Sequence, residues 1–309
     1  MTDLRAAARD YLTLRRSLGL KLIEAERMLD SFLDHLDCRG ASTVTIELAL
    51  EWATLPSHAK PWWWRQRLSA VRGFARYLQA FDPGSEIPPT GLIYSPVPRA
   101  TPHVFEDDEL AALLKAAEEL RPALRGATYR SLIGLLAVTG MRVGEAIALD
   151  DDDVAPDDAV IIVRHGKGGK RRELVVHPST AEVLAEYREI RQRSCPRPKT
   201  AAYFVSTRGT RLHHSNILLV FRRLIDELHL ATRLRGGRPP RLHDLRHRFA
   251  IVSLLEWYRQ GVDVQPRLAL LSTYLGHAHP ADTYWYLSAT PELLTLAAER
   301  LENAWAVLT

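Results

Sequence analysis

A chain of 309 residues, 46% hydrophobic and 25% charged, has room for two globular domains and excludes disordered and collagen-like classes. No run of about 18 apolar residues occurs, so no membrane span is expected; the N-terminus lacks the apolar core of a secretory signal. Cys38 and Cys195 make no disulfide framework and point to a reducing cytoplasm. The net charge of +4 hides an uneven distribution. Arg99 to Val163 carries 6 basic and 13 acidic residues, whereas Arg188 to Arg248 carries 15 basic and 4 acidic. Lys60 to Arg76 has five basic residues and no acid. Basic tracts on a near-neutral total suit nucleic-acid binding; solvated faces are the plain alternative.

The first 81 residues read as helical. Leu4, Ala8, Tyr11, Leu12 and Leu18 recur near helical spacing until Gly19; Met28, Leu29, Phe32, Leu33 and Leu36 form a second stripe, ended by Gly40. Thr43 or Thr45 caps a third helix carrying Ile46, Leu48, Ala49 and Trp52. Pro61 suits the first turn of a fourth, which runs to about Ala80 and interleaves Trp62, Trp63 and Trp64 with Arg65, Arg67, Arg72 and Arg76. That pattern reads either as a DNA-facing helix with an aromatic core side or as core tryptophans with solvated arginines. Six prolines between Pro83 and Pro102 predict an extended linker over 83–102. It would join a helical domain, 1–82, to a mixed one, 103–309.

In the second domain, FEDDELAALLKAAEEL and ATYRSLIGLLAVTG read as helices, the latter stopped by Gly140. VIIVR (160–164) and ELVVH (173–177) flank HGKGGKRR as a hairpin with a glycine-rich basic tip. YFVS (203–206) is a candidate third strand. Helices are expected over about 179–193, 214–229, 243–259, 265–275 and 291–306. The last carries Leu293, Leu294, Leu296, Ala297, Leu301, Trp305 and Leu308 on one face. The fold class is therefore mainly α with a small β-sheet.

Four motifs carry chemistry together. TGMRVGEAIAL places Arg142 at a helix start with Glu145 three residues on; HGKGGKRRE puts Lys167 at the hairpin tip; LHDLRH gives His243 and Arg246; YLGHAHPADTYWYL gives His277 and, nine residues later, Tyr286. Two guanidinium groups can clamp the non-bridging oxygens of a phosphodiester, where charge grows in the transition state. A tyrosine can attack phosphorus but needs help losing a proton at its ordinary pKa near 10. A lysine or histidine can protonate the departing oxygen. Each motif alone is more often structural; it is the ordered set that points to this chemistry.

That ordered set resembles the tyrosine recombinase (phage integrase-like) family, from chromosome-dimer resolving enzymes to mobile-element integrases. The likeness covers essentially the whole chain. It implies a helical core-binding (SAM-like) domain and a catalytic domain closing on duplex DNA as a C-shaped clamp. Carried over by position, Arg142 and Arg246 would hold the scissile phosphate, His243 would assist proton transfer and His277 would hydrogen-bond the phosphate. Lys167 would protonate the leaving 5′-hydroxyl, Tyr286 would form a 3′-phosphotyrosyl bond, and Glu145 would steady the arginine segment. Arg65, Arg67, Arg72, Arg76, Lys170, Arg172 and Arg241 are the candidate DNA contacts. The reaction would need no metal, ATP or other cofactor. The C-terminal helix would dock in a neighbour within a homo- or hetero-tetramer on DNA. YLTLRRSLGLKL and GASTVTIELALEWAT favour a transposon-type integrase over a housekeeping resolvase.

Several alternatives accompany this reading. Tyr284 rivals Tyr286, and His279 rivals His277. Pro280 and Trp285 depart from the family's usual residues. Asp150 to Asp153 could bind a hard cation but read better as a solvated loop. Type IB topoisomerase-like strand relaxation and a non-catalytic DNA-binding factor are the rival functions.

Overall fold

The computed structural model describes residues 3–95, 102–155, 157–164, 171–230, 238–277, 279–288 and 290–306, with side chains for all but 301 and 303–306. The chain forms two compact units, Met1–Arg99 and Ala100–Thr309. Among the described residues, no helix is long and apolar enough to cross a membrane.

The first unit packs α1 (Leu4–Ser17), α2 (Ile23–Cys38), α3 (Ile46–Thr54) and α4 (Pro61–Leu78) around one core. Leu29, Phe32, Leu36, Trp52, Phe74 and Leu78 are fully buried there. Thr45 is the cap that begins α3, accepting from the Leu48 N–H at 3.2 Å. Thr43 instead bonds Asp82 and Ser85. Leu18 departs from the expected stripe: α1 ends at Ser17, and Leu18 is 69% exposed.

The proline-rich segment is not free spacer throughout. The Glu86 N–H donates to Val44 O, and its carboxylate accepts from the Ile46 N–H at 2.7 Å. Ile87 and Ile93 pack against the helical core. Proline carbonyls remain good acceptors although the ring removes the donor. Arg72 donates to Pro88 O at 2.6 Å and to Pro89 O at 2.9 Å, and Arg65 reaches Ser95 O at 3.1 Å.

In the second unit, α5 (Asp107–Glu118) starts from a reciprocal Glu106–Glu109 cap. α6 (Ala123–Thr139) is buried on most sides and packs against α5, α8 (Pro178–Ser194) and α10 (Asp244–Arg259). After the short α7 (Val143–Ala148) come three antiparallel strands in the order β1 (Val154–Ala155), β2 (Val160–Val163) and β3 (Arg172–Val175). The third strand is thus Val154–Ala155. Among the described residues YFVS makes one isolated bridge, Val205 with Arg211, just after a bridge of Asp150 with Ala202, and the Val205 N–H goes to the Tyr187 hydroxyl instead of a ladder. α9 (His214–Glu227), α11 (Val264–Leu275), α12 (Ala281–Tyr284), a 3-10 turn at Trp285–Ser288 and α13 (Pro291–Ala306) complete the unit.

Two apolar clusters fill this unit. One joins α5, α6, α8, α9 and the sheet, ending at Leu245; the other joins α10, α11, Tyr286 and Leu293. Arg246 therefore stands at their seam. Helix α13 lies on α10 of its own chain: Leu293 is fully buried, Arg259 pairs with Glu292 at 2.6 Å, and Arg300 donates to Val262 O at 2.7 Å.

Candidate active site

The site is built on three helix ends. Gly140 stops α6 with φ +59°, and a Cβ there would lie 2.6 Å from Phe249 Cδ1 and 2.9 Å from Leu275 Cδ2. Only glycine allows this close approach in a left-handed conformation. The chain then turns through Arg142, which precedes α7, while α11 ends at Gly276, φ +68°. Arg246 reaches from α10 between these ends, donating to Gly140 O at 2.6 Å and Leu275 O at 2.8 Å. Arg142 donates to Gly276 O at 3.2 Å and to Glu145 Oε1 at 2.9 Å.

The electrostatics follow from burial. Arg246 is 2% exposed. Burial, then the charge of Arg142, pushes its pKa down to about 10, against the pull of Tyr286 and Glu145. Burial and then the charges of Arg246 and Arg142 drive His277 down to about 4, Asp282 opposing; His243 falls below its ordinary value through burial and Arg246. Both histidines are neutral at pH 7. Burial alone would raise the Glu145 carboxyl. Hydrogen bonds from Arg172 and the Arg142 N–H, with the charges of both arginines, hold it below the usual carboxylate range.

Tyr286 is 2% exposed, its ring stacked on His277 at 6.2 Å between centroids and edge-on to His247 at 5.6 Å. Tyr284 is 56% exposed. His277 Nδ1 shares a 2.6 Å hydrogen bond with the buried Thr283 hydroxyl. Arg142, Glu145, His243, Arg246, His277 and Tyr286 thus converge, drawn from positions up to 144 residues apart. Lys167 and Lys170 lie outside the described residues.

Spacing did not single out His247, although it stands at i+4 from His243 on one helix face, their rings 4.7 Å apart. Nothing in the sequence marks Thr283. Arg172, expected on DNA, belongs to the site: its side chain is 11% exposed and bonds Glu145 and Tyr274 O.

The other expected DNA contacts lie elsewhere. Arg67 stacks over the Trp52 ring at 3.7 Å and donates to Trp52 O at 2.8 Å. Arg65 and Arg72 hold the 88–95 segment. Arg76 is exposed on the last turn of α4, and Arg241 donates its backbone N–H and Nη2 to the Asp244 carboxylate at the start of α10. Trp62 is 47% exposed, whereas the Trp64 indole donates to Pro56 O. Asp150, Asp151 and Asp153 are ion-paired with Arg211, with Arg188 and Arg191, and with Arg164 respectively. Among the described residues, no group of three His, Cys, Asp or Glu is placed to hold a metal. A cavity of about 650 Å³ lined by Arg125, Tyr129, Arg208, Arg211 and His213 involves none of the site residues.

Comparison with known proteins bears on the family and the fold. Residues 103–292 match the model of the phage integrase family. A protein named as an integrase/recombinase, y4rB of Sinorhizobium fredii, is 43% identical over 313 residues, covering 99% of both chains. The tyrosine recombinase XerD of Caulobacter vibrioides is 30% identical over 307 residues, covering 94% of this chain and 89% of its own. The fold matches the Tn1549 transposon integrase in complex with transposon right end DNA, with TM-score 0.66 and 16% identity over 98% of this chain and 100% of the other. It also matches the XerH recombinase bound to its palindromic difH substrate, with TM-score 0.64 and 22% identity over 89% and 78%. The chain belongs to the phage integrase family, the tyrosine recombinases.

Proposed function

We propose that this protein is a site-specific tyrosine recombinase that cuts and rejoins DNA through a 3′-phosphotyrosyl intermediate, serving as the integrase of a mobile element in the cytoplasm. The observation that carries this is the convergence of Arg142, Arg246, His277 and Tyr286 on one small volume. Arg142 and Arg246 each give two nitrogens to protein oxygens. A guanidinium carries five N–H donors, so both keep capacity for the non-bridging oxygens of a phosphate. Repulsion between the two cations is relieved when an anion enters, and most of all by the transition state, where negative charge is greatest.

In the proposed step the Tyr286 oxygen bonds to phosphorus and the bond to O5′ breaks. The phenol proton leaves with help from neutral His243, and Lys167 protonates the departing 5′-oxygen. Neutral His277 accepts a hydrogen bond from the Thr283 hydroxyl at Nδ1, which leaves Nε2–H to donate to the phosphate. The reverse reaction with a 5′-hydroxyl of a partner strand completes the exchange. Fixed cations supply the charge stabilisation that a metal supplies elsewhere, and the phosphotyrosine conserves the bond, so neither metal nor ATP is needed. Duplex contacts in this reading come from Arg76, Arg65, Lys170 and Arg241. Exchange between two duplexes requires four cleavages, which calls for a tetramer on DNA; α13, seated on α10 of its own chain in the free protein, would leave that seat to dock in a neighbour.

The test is covalent capture. The full-length protein is incubated, with and without EDTA, with nicked duplex fragments from its source genome, in which the cleaved strand's short end diffuses away. A protein–DNA adduct is expected in both, mapped to Tyr286 by mass spectrometry. An adduct persisting in Tyr286→Phe overturns the nucleophile. Loss with EDTA overturns the metal-free step. Relaxation of supercoils without exchange between two duplexes favours the topoisomerase-like reading.

A further inference from the structure

Three consecutive carbonyls end α11, and each takes a guanidinium from a different stretch of the chain. Tyr274 O accepts from Arg172 Nε at 2.9 Å, Leu275 O from Arg246 at 2.8 Å, and Gly276 O from Arg142 at 3.2 Å. The C-terminal end of a helix is its negative pole and suits cations. Two of these arginines belong to the phosphate clamp proposed above. The third, Arg172, opens β3 and has all three guanidinium nitrogens engaged within the protein: Nε on Tyr274 O, and Nη1 and Nη2 on Glu145 Oε1 and Oε2 at 3.2 and 2.7 Å.

We propose that Arg172 is a positioning residue for strand cleavage, which aims Arg142 at the phosphate by holding Glu145 and the end of α11. The inference rests on the clamp reading of Arg142 and Arg246. The Glu145 side chain is 4% exposed and its charge must be matched. Arg172 straddles both carboxylate oxygens, so the Arg142 guanidinium shares only Oε1, while its backbone N–H donates to Oε2 at 2.9 Å, and the fork keeps its remaining edge open. Without Arg172, the buried carboxylate has one cation left and draws the whole Arg142 fork onto itself. The clamp would then lose both direction and net positive charge. A lysine cannot replace Arg172, because an ammonium does not span two carboxylate oxygens and a carbonyl in one plane. Gly276 keeps room for this fork: a Cβ there would lie 2.9 Å from Arg172 Nη1.

The test uses the full-length protein and the nicked duplex captured by the wild type. Arg172→Lys and Arg172→Met are expected to slow single-turnover adduct formation at saturating DNA about 100-fold, the scale of a misplaced reacting group, with the duplex Kd within about threefold. On a scissile methylphosphonate, whose neutral phosphorus needs less cation alignment, the gap to wild type is expected to shrink to within about tenfold. On a 5′-bridging phosphorothiolate, whose sulfur leaves without a proton donor, the gap is expected to persist. Adding Glu145→Gln to Arg172→Lys is expected to cost nothing further. A Kd that rises as much as the rate falls makes Arg172 a DNA contact and overturns the proposal. So does an unchanged rate, or recovery on the phosphorothiolate instead, which would place the effect on Lys167. Arg172→Lys keeps stem and charge and serves if the Met variant does not fold. If the wild type forms no adduct, the recombinase reading itself fails; a wild-type adduct with an indifferent Arg172→Lys sinks this inference alone.

Discussion

The arginines of the two units make the same kind of bond and serve different ends. In α4, Arg65, Arg67 and Arg72 donate to carbonyls of Ser95, Trp52, Pro88 and Pro89. In the second unit, Arg142, Arg172 and Arg246 donate to carbonyls of Gly140, Tyr274, Leu275 and Gly276. The first set diverges: Arg65 and Arg72 fasten opposite ends of the 88–95 segment, and Arg67 fastens α3, all within their own unit. The second converges, and the cost of convergence is visible in the lowered pKa of Arg246, caused by burial and by Arg142. Repulsion is not confined to the second set: burial first, and then the charges of Arg76 and Arg65, lower Arg72 as well. In the second set it falls on a cation buried beside Tyr286 and Glu145, which makes that set complementary to an anion. Neither hydrogen bonding to backbone nor repulsion therefore separates the two sets; convergence around a buried tyrosine does.

The largest expected effect breaks the convergent set. Arg246→Lys keeps the charge but cannot reach both Gly140 O and Leu275 O while facing a phosphate, and cleavage should fall about 10²–10³-fold. Single-turnover adduct formation measures this, and duplex binding should change little. Gly140→Ala tests the scaffold beneath it. The new Cβ meets Phe249 and Leu275 in a left-handed backbone, so a loss of about 1–3 kcal/mol is expected in chemical denaturation. A slower cleavage rate should accompany it, since the Gly140 carbonyl holds Arg246.

The divergent set should answer differently. Arg67→Met removes a stacked cation and a hydrogen bond to Trp52 O and is expected to lower stability by about 1–2 kcal/mol, with cleavage at saturating DNA unchanged. Arg72→Met sharpens the comparison further. If Arg72 serves only to hold Pro88 and Pro89, the dependence of DNA affinity on salt keeps its slope. If it also meets a phosphate, the slope falls by about one unit. Titrations of the duplex at three or more salt concentrations decide between the two.

How much of this was legible in the sequence depends on the range of the interaction. Helices whose apolar stripes bury locally, such as Met28 to Leu36 in α2, declare themselves by period. Arg142, His243, Arg246, His277 and Tyr286 stand out in another way, by an order of residue types that the proposed chemistry calls for. Arg172 did not, since its role depends on meeting Glu145 from 27 residues away and Tyr274 from 102. The α4 arginines were equally opaque: basic and free of acidic neighbours, they look solvated until the returning 88–95 segment presents its carbonyls. YFVS has strand composition, but a buried tyrosine hydroxyl claims the Val205 donor that a ladder would use. Spacing encodes what one element does with itself; the carbonyl that an arginine finally meets is chosen by the path of another segment.

The smallest expected effect concerns the neutral histidines beside the convergent cations. His277 lies near 4 in the folded protein, first through burial and then through Arg246 and Arg142, against about 6.5 when unfolded. Between these values the unfolded chain binds more protons, so stability must rise with pH. It is fully present above about 6.5 and lost progressively as pH falls toward 4. His243, lowered in the same direction, adds to the slope. Glu145 works in a different window: its folded pKa is depressed, so its contribution is lost only below the ordinary carboxylate range. Melting temperatures between pH 6.5 and 5 therefore report the histidines with little interference from Glu145. The wild type should melt progressively lower across that interval, and His277→Gln should flatten the trend. An unflattened trend would mean that Arg246 and Arg142 do not press on His277 in the free protein, and the convergent set would lose one of its members.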